Sequence, residues 1–269
     1  LTAIAVQPKV NLKTIALPAS HGGWGFLLEP LVLGLWLAPS LAGLALAVAA
    51  TGAFLAQQPL KLALTDRRKG RRYPRSIWAE RFAVLYGGVS LAALTLAFIA
   101  AAPYPFWLPL LLAVPLALVQ LYFDAYNRGR ELLPELLGAG ALGGVAAAMT
   151  LAGGWPIAMA LAVWGILLAR TLTSIIYIRA RLRLERGQLT ARWPVWLAHL
   201  GAGLAVIALA RLELAPWLAV LALLVLFGRA VVGLSTRRKS IPAKLVGFQE
   251  LGYGLLTVAL TAMGYSFQW

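Results

Sequence analysis

The stretch AERFAVLYGGVSLAALTLAFIAA, residues 79–101, carries two charges at its leading end, Glu80 and Arg81, and then 20 positions without one. A helix rises 1.5 Å per residue, so about 20 such positions cross the ~30 Å hydrocarbon core of a bilayer. In lipid every backbone N–H and C=O has to be satisfied inside the segment, and a helix does this with its own ladder. The run therefore predicts a transmembrane helix.

Eight further apolar runs flank it, at residues 22–38, 40–62, 105–123, 132–152, 156–178, 193–210, 214–234 and 245–266. The composition agrees: 61% of residues are hydrophobic and only 12% charged, and the mean hydropathy is +0.81. A soluble domain cannot cover itself with so few charges. The expected fold is all-α and integral to the membrane, with nine transmembrane helices. Residues 1–21 read as an N-terminal cytoplasmic tail and 22–269 as a single transmembrane helical domain. The first 20 residues include Pro8, Lys9, Lys13 and Pro18 and no apolar run of the signal-peptide kind. With no cysteine in the chain, disulfides, thiolate metal sites and thiol nucleophiles are excluded.

A net charge of +15 would suggest nucleic acid in a soluble protein, but here the basic residues alternate with the spans. Every second connection is short and nearly uncharged: 39–40, 102–105, 152–156 and 211–213. The other connections and the N-terminal segment hold 20 of the 24 Lys and Arg, the densest being the segment from Lys61 to Arg75 and that from Arg179 to Arg192. Cytoplasmic loops collect cations in this way, so the charge reports orientation and argues against a nucleic-acid partner. The expected location is a cytoplasmic (inner) membrane, multi-pass, with the N-terminus cytoplasmic and the C-terminus at Trp269 outside. Trp107, Trp155, Trp193, Trp196 and Trp217 fall near predicted span ends, where interfacial anchors sit.

Few polar residues interrupt the spans: Glu29, Gln57, Gln58, Arg170, Thr171, Thr173, Ser174, His199, Arg229, Gln249 and Glu250. On this topology nearly all fall in the cytoplasmic half. Ionisable groups in hydrocarbon are costly and face a bundle interior or a wetted cavity. For Arg229 and Glu250, snorkelling to the interface is an equal alternative. Glu29 and Arg170 lie deeper and are expected to point inward, either paired or hydrated.

Two family resemblances emerge from particular residues. His21-Gly22-Gly23-Trp24, followed by Leu27-Leu28-Glu29-Pro30-Leu31 and Gly34, resembles the start of YwiC-like proteins, a bacterial membrane family with no established activity. The nine-run layout is similar to the UbiA superfamily of intramembrane prenyltransferases, whose catalytic loops follow helices two and six on the cytoplasmic side. That superfamily carries N-D-x-x-D-x-x-x-D at the end of helix two, where this chain has Gln58-Pro59-Leu60-Lys61-Leu62-Ala63-Leu64-Thr65-Asp66 and then a basic stretch with Tyr73-Pro74. Its second motif, D-x-x-x-D and then G-x-x-T, falls on Arg179, Arg183, Gly187 and Thr190. A basic turn at Asn127-Arg128-Gly129-Arg130, with Leu133-Pro134 and Gly138-Ala139-Gly140 after it, echoes the segment that follows the superfamily's helix four.

The resemblance implies a UbiA-like bundle without the magnesium chemistry. In the superfamily two acidic clusters hold magnesium against a prenyl diphosphate, because hard cations take oxygen ligands. Here only Asp66 survives among those acids, and the second cluster has become arginine, a residue that binds phosphate directly. The positive-inside bias alone would also place arginines there. The chain is thus read as a non-catalytic binder of an isoprenoid, quinone, pigment or phospholipid, with no metal or resident cofactor expected. The candidate ligand-binding residues are His21, Trp24, Glu29, Gln58, Asp66, Arg170, Arg179 and Arg183. Beyond the bilayer itself, the alternatives left open are an accessory subunit of a respiratory or photosynthetic membrane complex, a transporter using Glu29 and Arg170, and an active prenyltransferase. Two histidines with no cysteine make a haem or transition-metal site improbable on composition, and no G-x-S-x-G element supports a hydrolase.

Overall fold

The computed structural model describes residues 11–18, 21–70 and 72–268. Of the residues singled out from the sequence, Lys9, Arg71, Trp269 and the side chain of His21 lie outside the described residues. A short helix α1 (Leu12–Ala16) precedes nine long ones: α2 (His21–Leu37), α3 (Leu41–Arg68), α4 (Pro74–Ala100), α5 (Trp107–Ala125), α6 (Leu132–Ala152), α7 (Ile157–Glu185), α8 (Trp193–Arg211), α9 (Trp217–Gly233) and α10 (Ala243–Gln268). No strand occurs among the described residues. Seven of the nine, α3 to α8 and α10, are long and apolar enough to cross a membrane. The other two, α2 and α9, are apolar and have 17 residues each, about 25 Å of helix.

Three helices project past the apolar runs because charged side chains there find partners. The run ending at residue 62 continues as α3 to Arg68, and the one ending at 178 continues as α7 to Glu185. α4 begins five residues before its run, with Pro74 at the first helical position and the Ser76 hydroxyl accepting from the Tyr73 N–H at 3.1 Å. α1 is an element that composition did not suggest. Asn11 accepts from the Lys13 N–H at 3.1 Å, and Ile15 is buried against Ala63 and Ala79.

α6 is the packing axis. It touches α2, α3, α5 and α7, and every residue from Gly143 to Ala152 is buried. Its small side chains let the neighbouring backbone approach closely, which is how helices associate where lipid supplies no hydrophobic contrast. A methyl added to Gly143 or Gly144 would stand 3.2 Å from the Trp164 ring, whose Nε1–H donates to the Gly140 carbonyl at 2.9 Å. α2 wedges between α6 and α10 and so contributes to two cores. Leu27 and Leu31 join Phe54, Val145 and Met149 in one, while Leu33 joins Val163, Ile166 and Ala262 in the other.

The basic ends of the helices are tied together at one end of the bundle. Arg68 at the end of α3 donates to the Ala125 carbonyl at the end of α5 at 2.6 Å. Arg179 near the end of α7 donates to Glu135 at the start of α6 at 2.9 Å, and Arg181 donates to the carbonyls of Gly233, the last residue of α9, and of Lys239 beyond it. The opposite end is held by aromatic contacts, with Trp155 edge-on to Tyr265 at 5.2 Å and the Tyr265 hydroxyl donating to the Leu214 carbonyl at 2.7 Å.

Candidate functional site

Glu29 sits midway along α2, and its carboxylate accepts from Arg170 Nη2 at 3.1 Å. Both are buried, with 3% and 1% of their surface exposed. The same Nη2 also donates to the Glu250 carbonyl at 2.9 Å, and Arg170 Nη1 lies 3.6 Å from Glu250 Oε2. Glu250 Oε1 accepts in turn from Arg229 Nη1. Four helices, α2, α7, α9 and α10, thus place two carboxylates and two guanidiniums in one chain, formally neutral. Each removal of a charge from water costs several kcal/mol, so burial of all four is sustained only because every charge meets an opposite one.

The chain continues to α8. Arg229 Nη2 faces His199 Nε2 at 3.5 Å, while His199 Nδ1 lies 2.8 Å from the Val195 carbonyl. A carbonyl only accepts and a guanidinium only donates, so Nδ1 carries the proton and Nε2 is the acceptor: the geometry fixes a neutral imidazole in one tautomer. The Arg229 guanidinium lies 4.1 Å above the Tyr177 ring and 5.4 Å from the Tyr253 ring, a cation–π arrangement that further offsets its loss of water. Gly254 is necessary for the approach of α10, since a Cβ there would collide with the Glu29 carboxylate and stand 3.0 Å from Arg170 Nη2.

This network leaves polar atoms unused. Arg170 Nε and Nη1, Ser174 Oγ and Glu250 Oε2 are buried and have no hydrogen-bond partner among the described residues. Ser174 is one helical turn beyond Arg170 on α7 and fully buried. Native interiors rarely leave such atoms empty without a water or a ligand to meet them.

The remaining candidates are dispersed. Trp24 is half-buried and edge-on to Phe54 at 5.1 Å, part of the apolar core. Gln58 donates to the Thr14 carbonyl at 3.3 Å and so fastens α1. Asp66 accepts from Arg75 Nη2 and Nε, along one edge of the guanidinium, at 2.8 and 3.2 Å, and from the Ser76 hydroxyl at 2.8 Å. These bonds close the α3–α4 turn beside a cleft of about 290 Å³ lined by Arg67, Arg72 and Glu80. Arg179 is engaged by Glu135, and Arg183 is exposed. Arg170 stands nine residues before Arg179, about 13 Å along the helix axis, so the three candidate arginines of α7 do not share one site.

Glu250, Arg229, His199 and Gly254 belong to the site and were not among its sequence candidates. The available signal was that the first three are ionisable residues within apolar runs. A buried acid outside the network, Asp124, has its own partners: it accepts from Gln57 at 2.8 Å and Gln120 at 3.0 Å, with Lys61 at 3.7 Å. Among the described residues no three His, Asp or Glu gather as a metal-ligand set.

The family model described as YwiC-like protein matches residues 17–150. No curated protein and no solved structure matches. The matched segment contains Glu29 and ends within α6, so the ionic network joins the matched part of the chain to the helices that follow it.

Proposed function

The chain is a YwiC-like multi-pass membrane protein, and from that premise we propose that it binds a lipid-soluble molecule within its bundle without transforming it. The observation that carries the reading is a pair of buried groups, Arg170 Nε and Ser174 Oγ, that have no hydrogen-bond partner among the described residues and stand in a neutral ionic network among apolar helices. Intramembrane charges mark a functional site by default, because a merely structural contact is made more cheaply by apolar side chains. Isoprenoids, quinones, pigments and phospholipids are the candidate classes.

In the same reading residues 22–269 form one domain of nine spans in a UbiA-like order, with the N-terminus and basic ends in a bacterial cytoplasm. The connection of basic ends at Arg68, Arg179 and Arg181 supports a single charged face. The engagement of Asp66 by Arg75 and Ser76, with Pro59, Leu62, Arg179 and Arg183 at the positions of the superfamily's other acids, supports a non-catalytic role.

Native mass spectrometry of the full chain released from membranes in mild detergent tests this. A stoichiometric small lipophile on the isolated chain is the expected result, and a chain that never retains one would overturn it. One observation favours a second reading, as an accessory subunit. α4 packs mainly on α3 and also on α1, and it exposes Val84, Leu91 and Ile99. A protein partner copurifying at a fixed ratio, lost when bulky charged residues replace Val84 and Leu91, would support it.

A further inference from the structure

The groups left unpaired restrict what the site can hold. Two carboxylates and two guanidiniums already balance, so a bound anion would face Glu29 and Glu250 without compensation, and a cation would face Arg170 and Arg229. The ligand group is therefore uncharged. Of the five N–H donors of Arg170, those on Nη2 are used, while Nε and Nη1 have no hydrogen-bond partner. Nη1 faces Glu250 Oε2 at 3.6 Å, an ionic approach too long for a hydrogen bond. Nε has no hydrogen-bond partner among the described residues, and neither has the Ser174 hydroxyl one turn on. Thr173, its neighbour, already donates to the carbonyls of Ala169 and Arg170 at 2.9 and 3.0 Å. The surplus is of donors, and the matching group is an acceptor.

We propose that Arg170 and Ser174 receive the carbonyl oxygen of an uncharged lipid-soluble molecule. A carbonyl oxygen has two lone pairs and accepts two hydrogen bonds, one from the guanidinium and one from the hydroxyl. With Arg170 1% and Ser174 0% exposed, the group has to arrive between helices on an apolar body and not from water. A quinone ring and a neutral ester lipid both present such an oxygen. The assignment rests on the binding role proposed above and narrows its chemistry.

The test uses the full chain in nanodiscs, titrated with decylubiquinone, dioctanoylglycerol and anionic phosphatidylglycerol, with binding read by tryptophan fluorescence and calorimetry. An uncharged carbonyl probe should saturate. Its affinity should fall roughly three- to tenfold in Ser174→Ala, the loss of one hydrogen bond, while the melting temperature of the unliganded variant is unchanged. Saturation by decylubiquinone alone or by dioctanoylglycerol alone identifies the source of the carbonyl. Uncharged probes that bind Ser174→Ala as tightly as the parent would overturn the site. Binding of phosphatidylglycerol alone would overturn the ligand class and leave the binding role standing. Binding of none of the three overturns this assignment, and the mass-spectrometric search for retained lipophiles decides separately whether the binding role falls with it.

Discussion

Arg170 and Glu29 are separated by 141 positions in sequence and meet at 3.1 Å in the interior of the bundle. Neither reaches solvent or lipid, so each depends on the other for its charge. Arg170→Met should destabilise the protein by ~3–5 kcal/mol, since it leaves Glu29 uncompensated and Glu250 with one partner fewer. Adding Glu29→Gln to it should cost less than ~1 kcal/mol more, because the interaction is already gone. Denaturation in mild detergent measures both. Simple additivity of the two changes would show that the contact carries little energy.

Gly254 and Gly252 form a matched pair on α10. A methyl on Gly254 collides with Glu29, whereas one on Gly252 meets nothing within 4 Å. Gly254→Ala should cost ~1–3 kcal/mol by overpacking, and Gly252→Ala should be neutral or stabilise by up to ~1 kcal/mol through helix propensity. Melting curves followed by light scattering compare them directly. Equal behaviour would mean that α10 can move away from α2 freely.

Asp66 serves as a structural tie in the α3–α4 turn. Asp66→Asn should lower stability by ~1 kcal/mol, the worth of its bonds to Arg75 and Ser76 when Arg75 is partly hydrated. Purified protein should release no pyrophosphate from prenyl diphosphates in the presence of magnesium and quinone-precursor acceptors. Turnover that disappears in Asp66→Asn would contradict this and assign the carboxylate to chemistry.

The absence of cysteine makes topology directly measurable. Single cysteines at the exposed positions Arg130 and Arg183 should label only after the cytoplasmic face is opened, and one at exposed Arg211 should label in intact cells. External labelling at position 183 would invert the orientation.

Much of the fold was readable in hydropathy because lipid imposes one dominant constraint. Each of the nine apolar runs became a helix, and the helix ends departed where ion pairs extend the ladder into water, as at Asp66 with Arg75 and Arg181 with Glu185. The site was half readable. Glu29 and Arg170 stood out by depth, and the inward position expected of them is the one observed. Arg229 and Glu250 lie closer to run ends, where a long side chain can reach the interface, and one-dimensional position does not separate that from pairing. Their partners come from other helices, so only the three-dimensional arrangement brings them together. The same holds for Arg179, whose carboxylate partner Glu135 comes from α6.

The order in which the chain is made gives the Glu29–Arg170 contact a consequence for biogenesis. At ~5–20 residues per second, the 141 positions between them take on the order of 7–28 s to synthesise. During that interval α2 carries an acid whose counterion on α7 has not yet been made. Glu29 therefore meets its counterion only after α7 has been made, and α10, which brings Glu250 beside Arg170, follows later still. In ribosome-tethered chains cut before residue 170, a single cysteine in place of Glu29 should react with a water-soluble maleimide, and in chains that include α7 and α10 it should be protected.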